Sequence, residues 1–101
     1  MRFARNVHFT VKNGKVDEFN RLMNIDVLPV LKKEKGFCED LTVLGGHTGM
    51  SISVWDDRAS AETYNKNTYP EVLKKLNAVL EGTPRVDTYD TVLNVFNFVP
   101  A

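Results

Sequence analysis

The sequence predicts an α+β domain of order β-α-β-β-α-β. Three observations predict it. Apolar residues alternate with polar ones in four segments, they recur at helical spacing in two others, and Gly or Pro signals separate the segments. A four-stranded antiparallel sheet with two helices on one face, the ferredoxin-like split βαβ arrangement, satisfies that order. With 101 residues the chain is expected to be one domain, residues 1–101.

Phe3, Val7, Phe9 and Val11 share one face of the first strand, and Asn6, His8 and Thr10 share the other. Arg5 interrupts the apolar face. Lys12-Asn13-Gly14-Lys15 is a turn signal. Val16, Phe19, Leu22, Met23, Val27, Val30 and Leu31 then follow helical spacing. Pro29 lies inside that run. It lacks an amide donor and crowds the carbonyl of Ile25, so a kink or break is expected there. Basic residues and Gly36 end the helix.

The second strand reads from Phe37 to Leu44, with Phe37, Leu41 and Val43 on one face. Residues Gly45 to Gly49 read as a hairpin loop. Met50, Ile52 and Val54 oppose Ser51, Ser53 and Trp55 on the third strand. Asp56 and Asp57 open the second helix, where its dipole favours acid. Pro70 after Thr68 splits that helix into pieces of about 57–67 and 69–81, and Val72, Leu73, Leu76, Val79 and Leu80 form the stripe of the second piece. Val86 to Val99 reads as a long last strand, bent or bulged where alternation slips between Tyr89 and Leu93. Apolar residues on both faces of the strands leave one sheet face needing a partner, and a symmetric homodimer supplies it.

Thirteen basic and thirteen acidic side chains cancel, which removes the electrostatic case for nucleic acid or an anionic membrane. No run reaches the roughly 20 apolar residues that span a bilayer. The single Cys38 excludes an internal disulfide and suits a reducing compartment, so a cytoplasmic location is expected. Cys38 itself reads as a buried, inert thiol. The two histidines are too few for a metal site. His47 is expected in solvent, as is the run Lys32 to Lys35.

The stretches ARNVHFTVKNGKVDEFNRLM, KKEKGF and SVWDDRASAETY, with a hairpin between the last two, resemble the antibiotic-biosynthesis-monooxygenase-like family. The resemblance spans essentially the whole chain. It rests on the Lys-x-Gly-Lys turn before the first helix, the Lys-Gly-Phe entry to the second strand and the Val-Trp that closes the third. It implies a dimer whose sheets join back to back as a barrel, with a pocket between sheet and helices in each subunit. Some members are cofactor-free oxygenases of quinols or anthrones, and others bind and degrade haem. Related barrels are lyases, isomerases or proteins of no known chemistry.

The haem-degrading branch uses a pocket Asn on the first strand, and a Trp and a haem-ligating His on the second helix. Anchored on the Lys-x-Gly turn, the Asn position falls on Val7, and Asn6 points the other way. Anchored on Val54-Trp55, the Trp falls on Tyr64 and the His on Lys74, whose ammonium has no lone pair for iron. Haem degradation is therefore disfavoured.

The cofactor-free branch needs only a protein that orients an electron-rich phenol or quinol, stabilises its anion and excludes water. Face by face, Arg5 and Tyr64 are the candidate catalytic donors to a phenolate, and Ser51, Ser53, Trp55 and Tyr69 are candidate substrate contacts. No cofactor and no metal are called for, and the expected ligand is small and hydrophobic or aromatic. No base faces the pocket in this reading: Arg5 stays protonated, and His8 points to the dimer side. Each candidate also has a structural reading. Trp55 reads equally as a core corner, Tyr64 and Tyr69 as helix residues with hydroxyls in solvent, and Arg5 as a salt-bridge partner of Asp87 or Asp90. Asn6 and His8 read as an interface pair or solvated edge. The alternative function is a ligand-binding barrel without catalysis.

Overall fold

The computed structural model describes residues 1–95. Its elements are β1 (Phe3–Thr10), α1 (Val16–Leu22), a π-helical turn (Met23–Val27), α2 (Leu28–Lys32), β2 (Phe37–Gly45), β3 (Thr48–Trp55), α3 (Arg58–Asn67), α4 (Tyr69–Leu76) and β4 (Arg85–Asp90). The four strands form one antiparallel sheet in the order β2-β3-β1-β4. This is the ferredoxin-like fold. No helix among the described residues is long and apolar enough to cross a membrane.

Pro29 acts as expected, through the turn before it. The helix widens over Met23–Val27 and resumes with Pro29 in the first turn of α2, where a missing amide does no harm. Thr68 separates α3 from α4, and Pro70 lies in the first turn of α4. Asp57 caps α3 by accepting a hydrogen bond from the Ser60 amide at 2.8 Å. α4 stops at Leu76, yet Val79 and Leu80 remain buried because the chain folds back onto β1. There the Lys12 amide donates to the Val79 carbonyl, and the Glu81 amide to Thr10. The hairpin between β2 and β3 is tighter than the sequence implies. Only Gly46 and His47 intervene, and Gly46 takes φ 65°.

The second strand departs from the expected pattern. Phe37 lies opposite Trp55, but Glu39 lies opposite Val54, so Cys38 is the extra residue of a β-bulge. The bulge reverses the alternation. Phe37 faces the helices, whereas Leu41 and Val43 face away and are exposed. Cys38 is half-buried, and its thiol donates to the Asp56 carboxylate at 3.1 Å. Burial, and then Asp56, push its pKa up, which keeps the sulfur protonated and unreactive.

The last strand is shorter than expected, ending at Asp90. Residues 92–95 leave the sheet, and Asn94 links the Arg2 and Glu39 side chains at the sheet's end. The slip in alternation after Tyr89 marks a strand end. The expected strand residues from Phe96 to Val99 lie outside the described residues.

The core fills the space between sheet and helices, built from Phe9, Val11, Phe19, Leu22, Val27, Leu31, Trp55, Ala61, Tyr64, Val72, Leu76 and their neighbours. The opposite sheet face carries Leu41, Val43, Met50, Ile52, Val54 and Tyr89, and no helix among the described residues packs over them. In its midst His8 Nε2 lies 3.2 Å from Asn6 Nδ2 and 3.6 Å from Asp87 Oδ2.

Gly36 joins α2 to β2 at φ 83°, and a Cβ there would collide with the Ser60 side chain. Gly36→Ala is expected to destabilise the fold by about 1–3 kcal/mol in urea unfolding. Adding Ser60→Gly relieves the collision but not the backbone strain, so the double variant should recover only part of the loss.

Candidate functional site

Strand register arranges the helix-facing side of the sheet in rows. Phe37, Trp55 and Phe3 form an apolar row at one end. Asp40, Ser53, Arg5 and Thr88 form the next, which is wholly polar. Thr42, Ser51, Val7 and Val86 follow. The helices roof this surface. A cavity of about 50 Å³ remains beneath them, and its polar lining includes Arg5, Asp40, Ser51, Ser53, Tyr64 and Tyr69. Its apolar wall comes from Phe9, Phe19, Val27, Val72 and Leu76 among others. A wider hollow of about 270 Å³ adjoins it between β2 and the first helical layer. The two share Phe19, Met23, Leu31 and Asp40. Together they approach the ~300 Å³ at which ligand pockets begin.

Arg5 is the unusual group. It is only 3% exposed. The expected ion pair with Asp87 or Asp90 does not form. Asp87 sits on the other sheet face with Arg85 and His8, and no described carboxylate pairs with Arg5. Its guanidinium carbon lies instead 4.0 Å from the Tyr69 ring centre and 5.2 Å from that of Tyr64, a cation–π contact with both of two adjacent, tilted rings. One terminal nitrogen donates to Asn65 Oδ1 at 2.8 Å, and Nε is buried with no partner. Burial pushes the guanidinium pKa below its ordinary value, against the two tyrosines. The Tyr69 hydroxyl is also buried without a hydrogen-bond partner of good geometry.

Tyr64 is 3% exposed, and burial pushes its pKa up to about 12, although Arg5 pulls it down. Burial also raises Tyr69. Both hydroxyls are therefore neutral donors at ordinary pH. Neither tyrosine points its ring to solvent, as a bland helix residue would.

Trp55 is fully buried and lies outside the cavity lining, because its row is one pleat repeat removed. It stacks on Tyr64 at 4.9 Å and meets Phe37 edge-on at 5.6 Å. Its indole donates to Ser53 Oγ at 2.9 Å, which leaves that hydroxyl to donate to the Arg5 carbonyl at 3.4 Å. Trp55 thus fixes the wall without being its surface.

Two site residues were not evident in the sequence. Asp40 faces the cavity only because of the bulge at Cys38. Both its oxygens accept hydrogen bonds, from Ser51 Oγ at 2.9 and 3.2 Å and from Thr42 Oγ1 at 2.5 Å. Asn65 caps the far end of Arg5 from α3. The signal for it was its place one residue after Tyr64. Asn6 and His8 lie on the uncovered face, and Lys74 is exposed. Among the described residues no three metal-ligating side chains come together.

This fold is the α+β ferredoxin-like fold of antibiotic-biosynthesis-monooxygenase-like proteins. The structure superposes on NE2512, a protein of unknown function from Nitrosomonas europaea, with a TM-score of 0.81 at 16% identity, covering 96% of this chain and 95% of that one. It superposes on SnoaB, a cofactor-independent oxygenase from Streptomyces nogalater, with a TM-score of 0.77 at 15% identity, covering 93% and 96%. A protein from Bordetella bronchiseptica described as a "putative antibiotic biosynthesis monooxygenase" gives 0.76 at 12% identity, covering 91% and 98%. No protein-family model matches the sequence, and no curated protein matches it.

The raised Tyr64 pKa has a sign. The native state holds the neutral phenol while an unfolded chain ionises first. Its contribution to stability is complete below pH ~10, the ordinary tyrosine value, and is lost as pH passes about 12. In ultraviolet titration of the three tyrosines the last step should belong to Tyr64, and Tyr64→Phe should remove it.

Proposed function

We propose that this protein is a cofactor-independent monooxygenase of a small aromatic phenol or quinol, working as a homodimer. The observation that carries the reading is Arg5: among the described residues, a buried cation with no counter-ion, an unmatched donor and a neighbouring unmatched tyrosine hydroxyl, all in one aromatic-walled cavity. Burying such a charge is costly unless an anion completes it. A phenolate oxygen is the anion that suits a site walled by Tyr64, Tyr69 and Phe19.

The chemistry asks little else of the protein. The substrate loses a proton, and the resulting anion passes an electron to oxygen. The two radicals join as a peroxide at a ring carbon that carries hydrogen; its C–H and the O–O bond then break, so that carbon becomes a carbonyl, one oxygen atom enters the product and the other leaves as water. Arg5 and Tyr69 hold the developing charge, Ser51 and Ser53 orient the ring edge, and the helical roof excludes water. That SnoaB, of the same fold, is named a cofactor-independent oxygenase supports this reading. The free thiol of Cys38 suits the cytoplasm.

A second reading, a ligand-binding barrel without turnover, draws on the inner cavity, whose 50 Å³ is small for a bound ring. Oxygen uptake with quinols and anthrones separates the two. The oxygenase reading expects rapid uptake, reduced about 10²-fold or more in Arg5→Met. That variant should unfold at the same or higher urea concentration, since a buried unpaired charge has been removed. Thermal stabilisation by the panel with a flat oxygen trace would establish the second reading instead.

The uncovered face supports the homodimer. Leu41 is 60% exposed and Val43 43%, so their substitution leaves each subunit's core intact. Sedimentation should give a dimer for the native chain and a folded monomer for Leu41→Glu. A native monomer at working concentration defeats the assembly.

A further inference from the structure

We propose that Asp40 is a catalytic residue of this site, binding a second hydroxyl of the substrate and taking its proton, so that the substrate is a compact quinol with oxygens on opposite edges. The inference rests on the oxygenase reading and extends it to a group which that reading leaves idle.

Three observations carry it. Asp40 lies where the inner cavity and the outer hollow meet, and belongs to the lining of both. It shares a row with Arg5: Asp40 lies opposite Ser53, and Ser53 opposite Arg5. Two strand spacings put their backbones about 10 Å apart. The inner cavity of about 50 Å³ is too small for a ring by itself, but joined at Asp40 to the adjoining hollow of about 270 Å³ it leaves room for one or two fused rings. The carboxylate, finally, pairs with no cation among the described residues. Its neighbours are the Ser51 and Thr42 hydroxyls, which fill Oδ1 and leave a lone pair free on Oδ2. One end of an aromatic-walled slot therefore holds an unpaired cation and the other an unpaired anion. A ring with one oxygen held as an anion at Arg5 and a second hydroxyl donating to Asp40 completes both.

In the step assigned to Asp40, the distal O–H bond breaks heterolytically. The proton goes to the carboxylate, and the electron pair stays on the substrate oxygen. The ring is then electron-rich enough to reduce the oxygen that the proposed reaction consumes. The protonated Asp40 returns its proton to the reduced oxygen species as water leaves.

The test compares naphthohydroquinone with naphthol, which has the same rings without the second hydroxyl. Binding is measured anaerobically by calorimetry and turnover separately by oxygen uptake. The native protein should bind the diol ~10-fold or more tightly than the mono-ol, the value of a hydrogen bond to a charged acceptor. Asp40→Leu should erase that preference. Asp40→Asn still accepts a hydrogen bond but takes no proton; it should keep part of the preference and lose about 10²-fold in kcat on the diol. Should Asp40→Leu not fold, Asp40→Asn decides alone. Equal binding of both ligands by the native protein, binding of neither, or an undiminished kcat in Asp40→Asn would overturn the assignment. Preferential diol binding lost in the Asp40 variants, with no oxygen consumed, would instead uphold the contact and overturn the oxygenase reading.

Discussion

A guanidinium shut away from water, with no carboxylate partner among the described residues, is the constraint around which the covered side of this sheet is organised. Charge burial of this kind is tolerated only when something replaces the lost hydration. Here two tyrosine faces and one asparagine oxygen do so in part. Those groups come from α3 and α4, so the break at Thr68 matters: it brings Tyr64 and Tyr69, five residues apart in sequence, to a ring separation of 6.2 Å beside one cation. Trp55 packs behind Tyr64 and holds Ser53 by its indole nitrogen, so the aromatic layer and the polar row of the sheet lock one another.

The polar row explains why a cavity survives. Apolar side chains from sheet and helices interdigitate on either side of it, at Phe3, Trp55 and Phe37, and again at Phe9 and Phe19. Between them Asp40, Ser53 and Arg5 cannot be packed over without loss of hydration, and the small remaining space lies against them. Stability and site are in tension at this row. The sheet's other face is a second surface, on which apolar side chains surround the Asn6, His8, Asp87 and Arg85 group.

Much of the fold was legible because it rests on local rules. Period-2 alternation placed β1 and β3 residue by residue, and Pro29, Pro70 and the glycines marked the helix breaks and turns. Arg5, Ser51, Ser53, Tyr64 and Tyr69 were legible as cavity residues from strand face and helix turn alone. What escaped depended on pairing between strands. The bulge at Cys38 has no compositional signal, since Phe37, Leu41 and Val43 suit a regular strand equally well. Missing it hid Asp40, the carboxylate that lines the cavity. The salt bridge imagined for Arg5 failed for a related reason: Asp87 is a neighbour by strand order but projects from the opposite face. The last strand ends sooner than alternation suggested, because among the described residues those after Asp90 find no strand to pair with.

The wide turn at Met23–Val27 has a consequence for how this architecture can vary. A π-turn accommodates one residue more than the α-helix it interrupts, and Met23 and Val27 both look into the inner cavity. A chain lacking that single residue could close the turn into ordinary helix and keep its sheet, its roof and its connections. Leu28 to Lys32 would then keep their present facing, with Leu31 still in the core, and only the side chains of the turn itself would change their place on the cavity wall. Ring size could thus be retuned by one codon's deletion, at a place where the backbone already carries the slack.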